Sequence, residues 1–560
     1  MAEGDSCGPE SSDMEDLHDM ICRRRNRLVN IIKQNDLSQL RQFIASHPPE
    51  AVIAPGSAYM DDTWSTAAAY GSPEALQMVL EVYAAAPDVV ERFDTKINLL
   101  PDACRVANID IVRFILDSHN SPDNRLPVGT VDLHQKCVCG DTPILLAAES
   151  LMHPEIDPDG EDKDLPLKWV GDSIARSHRL IHLLLDLGCS ATDVVVWPTG
   201  TSHSRDQVLK SVLGFAVSRA NTLLLQRLIN TGADIHLKHR HLHNTRVTLQ
   251  FKFPNTYDVT TLHLAALFNN YNAVKFLLDY QHQNQSTRPD LASSCDSEKR
   301  LPLHWAASGA GDPNCRLLGQ QLRIAETLRL LLDYDSTGVN HVDNSGFTPL
   351  HYAAMDHAGC GCSQHAKLAI STLLECRADP KLADSSGRTI LHLLGYRSQS
   401  IPIETTLLQF ILSHGVDINH PENNGKTALH IFARNLRQVS AAKFFIQYGA
   451  NIRARNNLWE TPFHAAARGV LNPNDFDRGA SDKDLMAENK IRLQDEIMCA
   501  LQEAAGEDHT MLMAQPNAEG KTPRELLEET RNQWQQGRPP PSPGFGRGRG
   551  WGRGRLPEGV

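Results

Sequence analysis

The sequence predicts an all-α solenoid of stacked helix-turn-helix units, with short β-turn fingers and long inter-helix insertions. Three observations predict it. A helix-start phrase recurs, most fully as Thr348-Pro349-Leu350-His351-Tyr352-Ala353-Ala354 and Thr461-Pro462-Phe463-His464-Ala465-Ala466. Its aligned histidines, His263, His304, His351, His392, His430 and His464, are separated by 41, 47, 41, 38 and 34 residues, the range of stacked supersecondary units rather than one globular core. Each copy is followed by a second apolar segment that closes near glycine, as in Gly415-Val416-Asp417 and Gly449-Ala450-Asn451.

Each element has a local reason. Thr348 can cap a helix through its hydroxyl, and Pro349 suits the first helical position, where no N–H partner is available anyway. Leu350, Ala353 and Ala354 mark a narrow apolar stripe whose small residues let helices approach closely. The second helix carries Ile370, Leu373 and Leu374 here, and Phe444, Phe445 and Ile446 in a later copy. Turn residues follow, as in Asn344-Ser345-Gly346 and Asn423-Asn424-Gly425. Neither helix is long enough to persist alone, so each unit must bury its stripe against the next.

This pattern resembles the ankyrin repeat, whose units join a glycine turn, a T-P-L-H-x-A-A helix start, a second helix with a leucine pair and a closing G-A-D. The resemblance is clearest over residues 257–470. Looser copies open at Gly140-Asp141-Thr142-Pro143 and Gly520-Lys521-Thr522-Pro523, and Leu28–Ile44, Trp64–Leu80 and Cys104–Leu116 keep the paired-helix rhythm. Roughly eleven units would result, with degenerate ends as capping units tend to be. The resemblance implies that the six histidines pack structurally and that partner proteins lie along the concave surface. The exposed positions there would be Asn344, Ser345 and Phe347, then Ser385, Ser386 and Arg388, then Asn424 and Lys426, then Asn457 and Glu460. Three residues depart from the pattern. Trp459 stands where a turn glycine is expected and should change that turn. Leu394 and Phe432 replace small alanines, and should push helices apart or fill a neighbour's gap.

The 560 residues carry a formal charge of −12, which argues against whole-surface nucleic-acid binding. The 12 cysteines form no regular framework, as in a reducing compartment. The acidic N-terminus lacks a basic-then-apolar leader, and no apolar run approaches the ~18–20 residues of a membrane span. A cytosolic or nuclear protein without membrane contact is expected. Arg23, Arg24, Arg25 and Arg27 start a charged helix or form an import signal.

Residues 1–20 are acidic and expected to be disordered, residues 21–535 form the solenoid, and residues 536–560 form a disordered Pro/Gly/Arg-rich tail. The tail holds Arg547, Arg549, Trp551, Arg553 and Arg555 in a pattern that resembles RGG-type tails. Its net +4 leaves −16 on the remainder. It would contact RNA by charge and stacking, be methylated, or fold back on acidic loops. Insertions are read at Glu149–Ser177, after Ala307, after Ala354 and from Arg468 to about Lys490. Others fall between units at Ser118–Gln135, Lys238–Tyr257 and Gln281–Arg300.

Three clusters invite a metal reading. His357, Cys360, Cys362 and His365 supply four zinc-type ligands, but spaced tightly for one tetrahedral site. His134, Cys137 and Cys139 form a half-site. His236, His239, His241 and His243 sit in a basic insertion read as a solvated loop. The carboxylates of Asp157–Asp164 lack EF-hand spacing. With no phosphate loop, nucleophile elbow or kinase signature, the expected function is a protein-interaction scaffold rather than an enzyme, without a cofactor; an RNA-associated adaptor using the tail is the alternative.

Overall fold

The computed structural model describes residues 26–53, 63–92, 99–120, 132–137, 140–152, 167–197, 207–240, 256–284, 290–309, 323–357, 363–397, 402–471 and 483–536. The chain divides into two compact units, one running to Ser297 and one beginning at Glu298. Both are built from helix pairs, giving an all-α repeat solenoid.

In the first unit the pairs are residues 26–33 with Leu37–Ser46, Thr63–Tyr70 with Pro73–Ala85, Leu99–Arg105 with Ile109–Asn120, Pro143–Met152 with Leu167–Asp186, Val212–Ala216 with Thr222–Asn230, and Thr261–Leu267 with Tyr271–Gln283. Short polar side chains set where the second helices begin. The Ser72 hydroxyl accepts from Ala75 N–H, Asn221 from Leu224 N–H and Asn270 from Ala273 N–H. Alanine pairs lie buried on the first helices, at Ala67-Ala68, Ala147-Ala148 and Ala265-Ala266, where one helix meets the next. One finger is a true hairpin. Strand Val194–Trp197 pairs antiparallel with Gln207–Ser211, with an irregularity between Val195 and Val196. His239 extends it by bridging to Val208 and Val259.

In the second unit the pairs are Pro302–Ser308 with Arg323–Tyr334, Pro349–His357 with Ser363–Glu375, Ile390–Arg397 with Thr405–Ser413, Ala428–Arg434 with Val439–Gln447, and Pro462–Ala467 with Lys483–Ala505; Pro523–Gln535 closes it. Leu350 is 2% exposed, and Ala353 and Ala354 are fully buried, so the stripe faces inward as its spacing requires. Phe432 fills a gap rather than prising helices apart. Its ring lies 4.8 Å from that of Phe445. The gap comes from Gly395 on the preceding first helix, where a Cβ would sit 2.8 Å from Ile431 Cγ2 and 3.1 Å from Phe432 Cε2. A large residue on one repeat is matched by a missing side chain on its neighbour.

Two insertions are shorter than the sequence indicates. Helix continues through Glu149 to Met152 and resumes at Leu167, and Ser177, read as insertion, is buried with its hydroxyl 2.7 Å from that of Ser150. The loop after Arg468 gives way to helix at Lys483 rather than near Lys490. In both cases a polar helix face exposed to solvent reads as loop. Among the described residues no helix is long and apolar enough to cross a membrane.

Candidate protein-interaction surface

The repeated Thr-x-x-His does two jobs. The backbone N–H of Thr348 donates to His351 Nδ1 at 3.0 Å, and the same bond forms from Thr260, Leu301, Thr389, Thr427 and Thr461 to the histidine three residues on. An amide can only donate, so Nδ1 is unprotonated and the proton sits on Nε2. That Nε2–H donates to the next finger, from His304 to His341 O, His351 to Leu382 O, His392 to Lys426 O and His430 to Glu460 O, each at 3.1 Å. Burial holds His351, His392 and His430 at a pKa of about 4, because loss of solvent disfavours the charged ring.

The fingers of the second unit are ordered by residues that the sequence reading passed over. Asp343 Oδ1 accepts from Ser345 and Phe347 N–H at 2.8 and 2.9 Å. Asp384 does the same for Ser386 and Arg388, Asn456 for Leu458 and Glu460, and Asn517 for Glu519 and Lys521. The signal is present in the sequence, since each anchor stands five residues before its threonine. Adjacent tips are laced by backbone bonds from Asn344 N to Glu298 O, Ser385 N to Ser345 O, Asn423 N to Ser386 O, Asn457 N to Asn424 O and Ala518 N to Leu458 O, at 2.9–3.0 Å. Gly346 must be glycine on two counts: its φ is +79°, and a Cβ would meet Ser385 N at 2.8 Å.

This lattice places the expected contact residues unequally. Asn344, Ser385, Ser386, Asn424 and Asn457 are exposed at the tips, and Ser345 is partly so. Lys426 and Glu460 are partly buried at the finger bases. Phe347 is not a surface residue. It is 1% exposed, its ring packs edge-on against His351 and Tyr352, and the Arg388 guanidinium lies 5.6 Å above it. The residue before the threonine turns inward, so a large apolar side chain there joins the core. Arg388 is itself held by Asp384, its Nε donating to Oδ2 at 2.7 Å. Trp459 leaves the turn unchanged. It adopts φ +58° and its N–H donates to Asn456 O at 2.9 Å, as Gly346 does to Asp343 O. The indole is 60% exposed beside Arg455.

His239 departs from the solvated loop expected for its cluster. It is buried between Ser211 and Val259. Its Nδ1–H donates to Val259 O at 3.1 Å and Nε2 accepts from the Ser211 hydroxyl at 2.7 Å, the opposite tautomer to the repeat histidines. Cys360, Cys362, Cys139, His241, His243, the 157–164 acidic run and the tail with Arg547, Arg549, Trp551, Arg553 and Arg555 lie outside the described residues, as do the side chains of His357 and His365.

Paired helices, amide-capping histidines and laced fingers define a class, the repeat solenoid with an ordered finger face. Comparison gives the repeat its name. The family model of ankyrin repeats matches residues 177–323, 359–456 and 400–472. Human inversin is 30% identical over 212 residues, covering 34% of this chain and 18% of inversin. Human neurogenic locus notch homolog protein 1 is 32% identical over 167 residues, covering 29% of this chain and 6% of its own length. The chain thus spans less than a fifth of either relative. The solved ankyrin repeat domain of Bcl-3, described as a unique member of the IkappaB protein family, is 23% identical, with 45% of this chain and 92% of that chain covered at a TM-score of 0.30. The chain carries ankyrin repeats, modules that in general mediate protein–protein interaction.

Proposed function

We propose that the protein is an interaction scaffold of the cytosol or nucleus that holds a partner protein along the finger face of its second unit. One observation carries this reading: the exposed tips Asn344, Ser385, Ser386, Asn424 and Asn457 project from backbone already fixed by anchor bonds and by tip-to-tip bonds. Side chains presented on pre-ordered backbone lose little conformational entropy when a partner docks. The mixed polar surface suits a protein epitope rather than a small-molecule cleft.

The test is affinity purification with mass spectrometry, comparing the full chain with an Asn424→Arg, Asn457→Arg double variant. Both positions are exposed, and the variant gives up only the surface bond from Asn457 Nδ2 to Asn423 O at 3.0 Å, so thermal unfolding should change little. Partners bound through the fingers should be recovered by the parent and lost from the variant. Identical recovery from both would remove the finger face from the reading.

A further inference from the structure

Tyr396, Arg434 and Arg468 stand at one register, seven residues after the threonines of three consecutive repeats. Two of them find partners on the fingers. The Tyr396 hydroxyl donates to Glu422 Oε1 at 2.8 Å, the anchor position of the next finger. Arg468 donates to Glu460 Oε1 at 2.5 Å, just before its own repeat's threonine, and to Glu519 Oε2 at 2.9 Å, at the tip of the next finger. Side chains at this register therefore reach for finger carboxylates.

Arg434 meets none. Its equivalents of those three positions are Asn456 instead of a glutamate, Lys426 instead of a glutamate, and Leu458 instead of a glutamate. Asn456 already accepts from Leu458 and Glu460 N–H and donates to Glu460 Oε2. Glu460 is bound to Arg468. The Arg434 side chain consequently has no hydrogen bond or ion pair with any described residue, although it is only partly exposed. Burial, then the like charge of Arg468, lower its pKa, and the attraction of the Glu460 carboxylate and the Tyr396 hydroxyl offsets this only in part. A position at a helix C-terminus favours a cation there, but gives the planar guanidinium no oxygen to bind. Lys426, on the same repeat, forms no ion pair within the described residues either, and Leu458, in the next finger, is 54% exposed.

We infer that Arg434 is the receiving site for a carboxylate side chain on an acidic segment of a partner protein, with Lys426 adding charge and Leu458 receiving an adjacent apolar side chain. This rests on the protein-binding reading above and names the chemistry of its partner. A guanidinium fork binds a carboxylate through two parallel bonds, which supplies direction as well as attraction. The chain is acidic overall, so two cations that bond to no carboxylate among the described residues, Lys426 at a finger base and Arg434 at the end of the helix that follows it, select for an acidic visitor.

The probe is a fluorescein-labelled peptide of Glu-Leu pairs separated by Gly-Ser, titrated with the full chain by anisotropy at low salt. The parent should bind it, and the same peptide with glutamine for glutamate should not bind. Arg434→Gln should weaken binding about tenfold or more, the scale of a charge-assisted hydrogen bond. Arg434→Lys should restore only part of that loss, because it keeps the charge without the fork. Arg397→Gln, an exposed charge removed elsewhere, should change affinity less than about twofold. Thermal unfolding of Arg434→Gln should stay level or rise, since no bond in the protein is broken. The inference fails if the parent does not bind the peptide, if Arg434→Gln and Arg397→Gln weaken it equally, if inorganic phosphate displaces it at matched ionic strength, or if Arg434→Gln lowers the unfolding temperature. Partners lost from the finger double variant but kept by Arg434→Gln would leave the scaffold reading standing and end this one.

Discussion

The unit ending at Ser297 and the unit beginning at Glu298 use the same helix pair but fasten their repeats differently. In the first unit, asparagine clasps do much of the work. Asn108 caps its own helix and donates through Nδ2 to Ala69 O and Gly71 O at 3.1 Å, and Asn270 does likewise to Val217 O and Ala220 O. Arg219 reaches Leu151 O and Met152 O in the same way. In the second unit the principal fasteners are histidines and the finger ladder, with Gln494 repeating the clasp at Ala466 O and Ala467 O. All these donors satisfy carbonyls left over at helix ends and turns. The fold needs a donor at each seam; it does not specify which. The choice decides how each seam responds to protons, since an amide does not titrate and an imidazole does.

The largest expected effect that would separate the units is Leu350→Asp. It places an unpaired charge in the second unit's stripe and should cost more than about 4 kcal/mol there. Hydrogen exchange should show protection lost around residues 302–413 while residues 63–120 keep theirs. Uniform loss across the chain would mean the units are not separately stabilised.

Acid gives the next largest effect. His351, His392 and His430 titrate at about 4 in the fold and near 6.5 when unfolded. Between those values the unfolded chain binds more protons, so stability falls as pH drops through 6.5 towards 4, and the contribution is absent below that. Each contributes on the order of 3 kcal/mol across the full window. The first unit has His239 at about 4, with His178 and His182 also lowered by burial. Exchange measured at pH 7.5, 5.5 and 4.5 should therefore weaken the second unit more steeply. Equal slopes would break the comparison.

The smallest effect sharpens it. Asn108→Ala removes a cap and a clasp and should cost about 1–2 kcal/mol, confined to the first unit. Urea unfolding should show that loss unchanged between pH 7.5 and 5.5, unlike a loss at a histidine seam.

The repeat phrase made the helix pairs legible because capping, stripe and closing glycine are all local to a few residues. The clasps were not legible, because Asn108 and Arg219 reach carbonyls 37–39 and 67–68 positions away. Phe347 misled for a related reason: a residue next to a turn reads as exposed until the following repeat supplies Arg388 to cover it. The finger anchors Asp343, Asp384, Asn456 and Asn517 are visible in principle, at constant spacing, but Asp and Asn are common in any turn, and their role shows only once their side chains are seen to accept from the turn amides.

The ladder along the fingertips has a consequence for how anything can be recognised there. The amides of Ser385, Asn423, Asn457 and Ala518 are already engaged by carbonyls of the preceding tip. A visiting chain therefore cannot use these amides to lay itself along the described tips as an extra strand. Discrimination must rest on side-chain identity, so single substitutions at the tips can retune what is recognised without disturbing the backbone beneath.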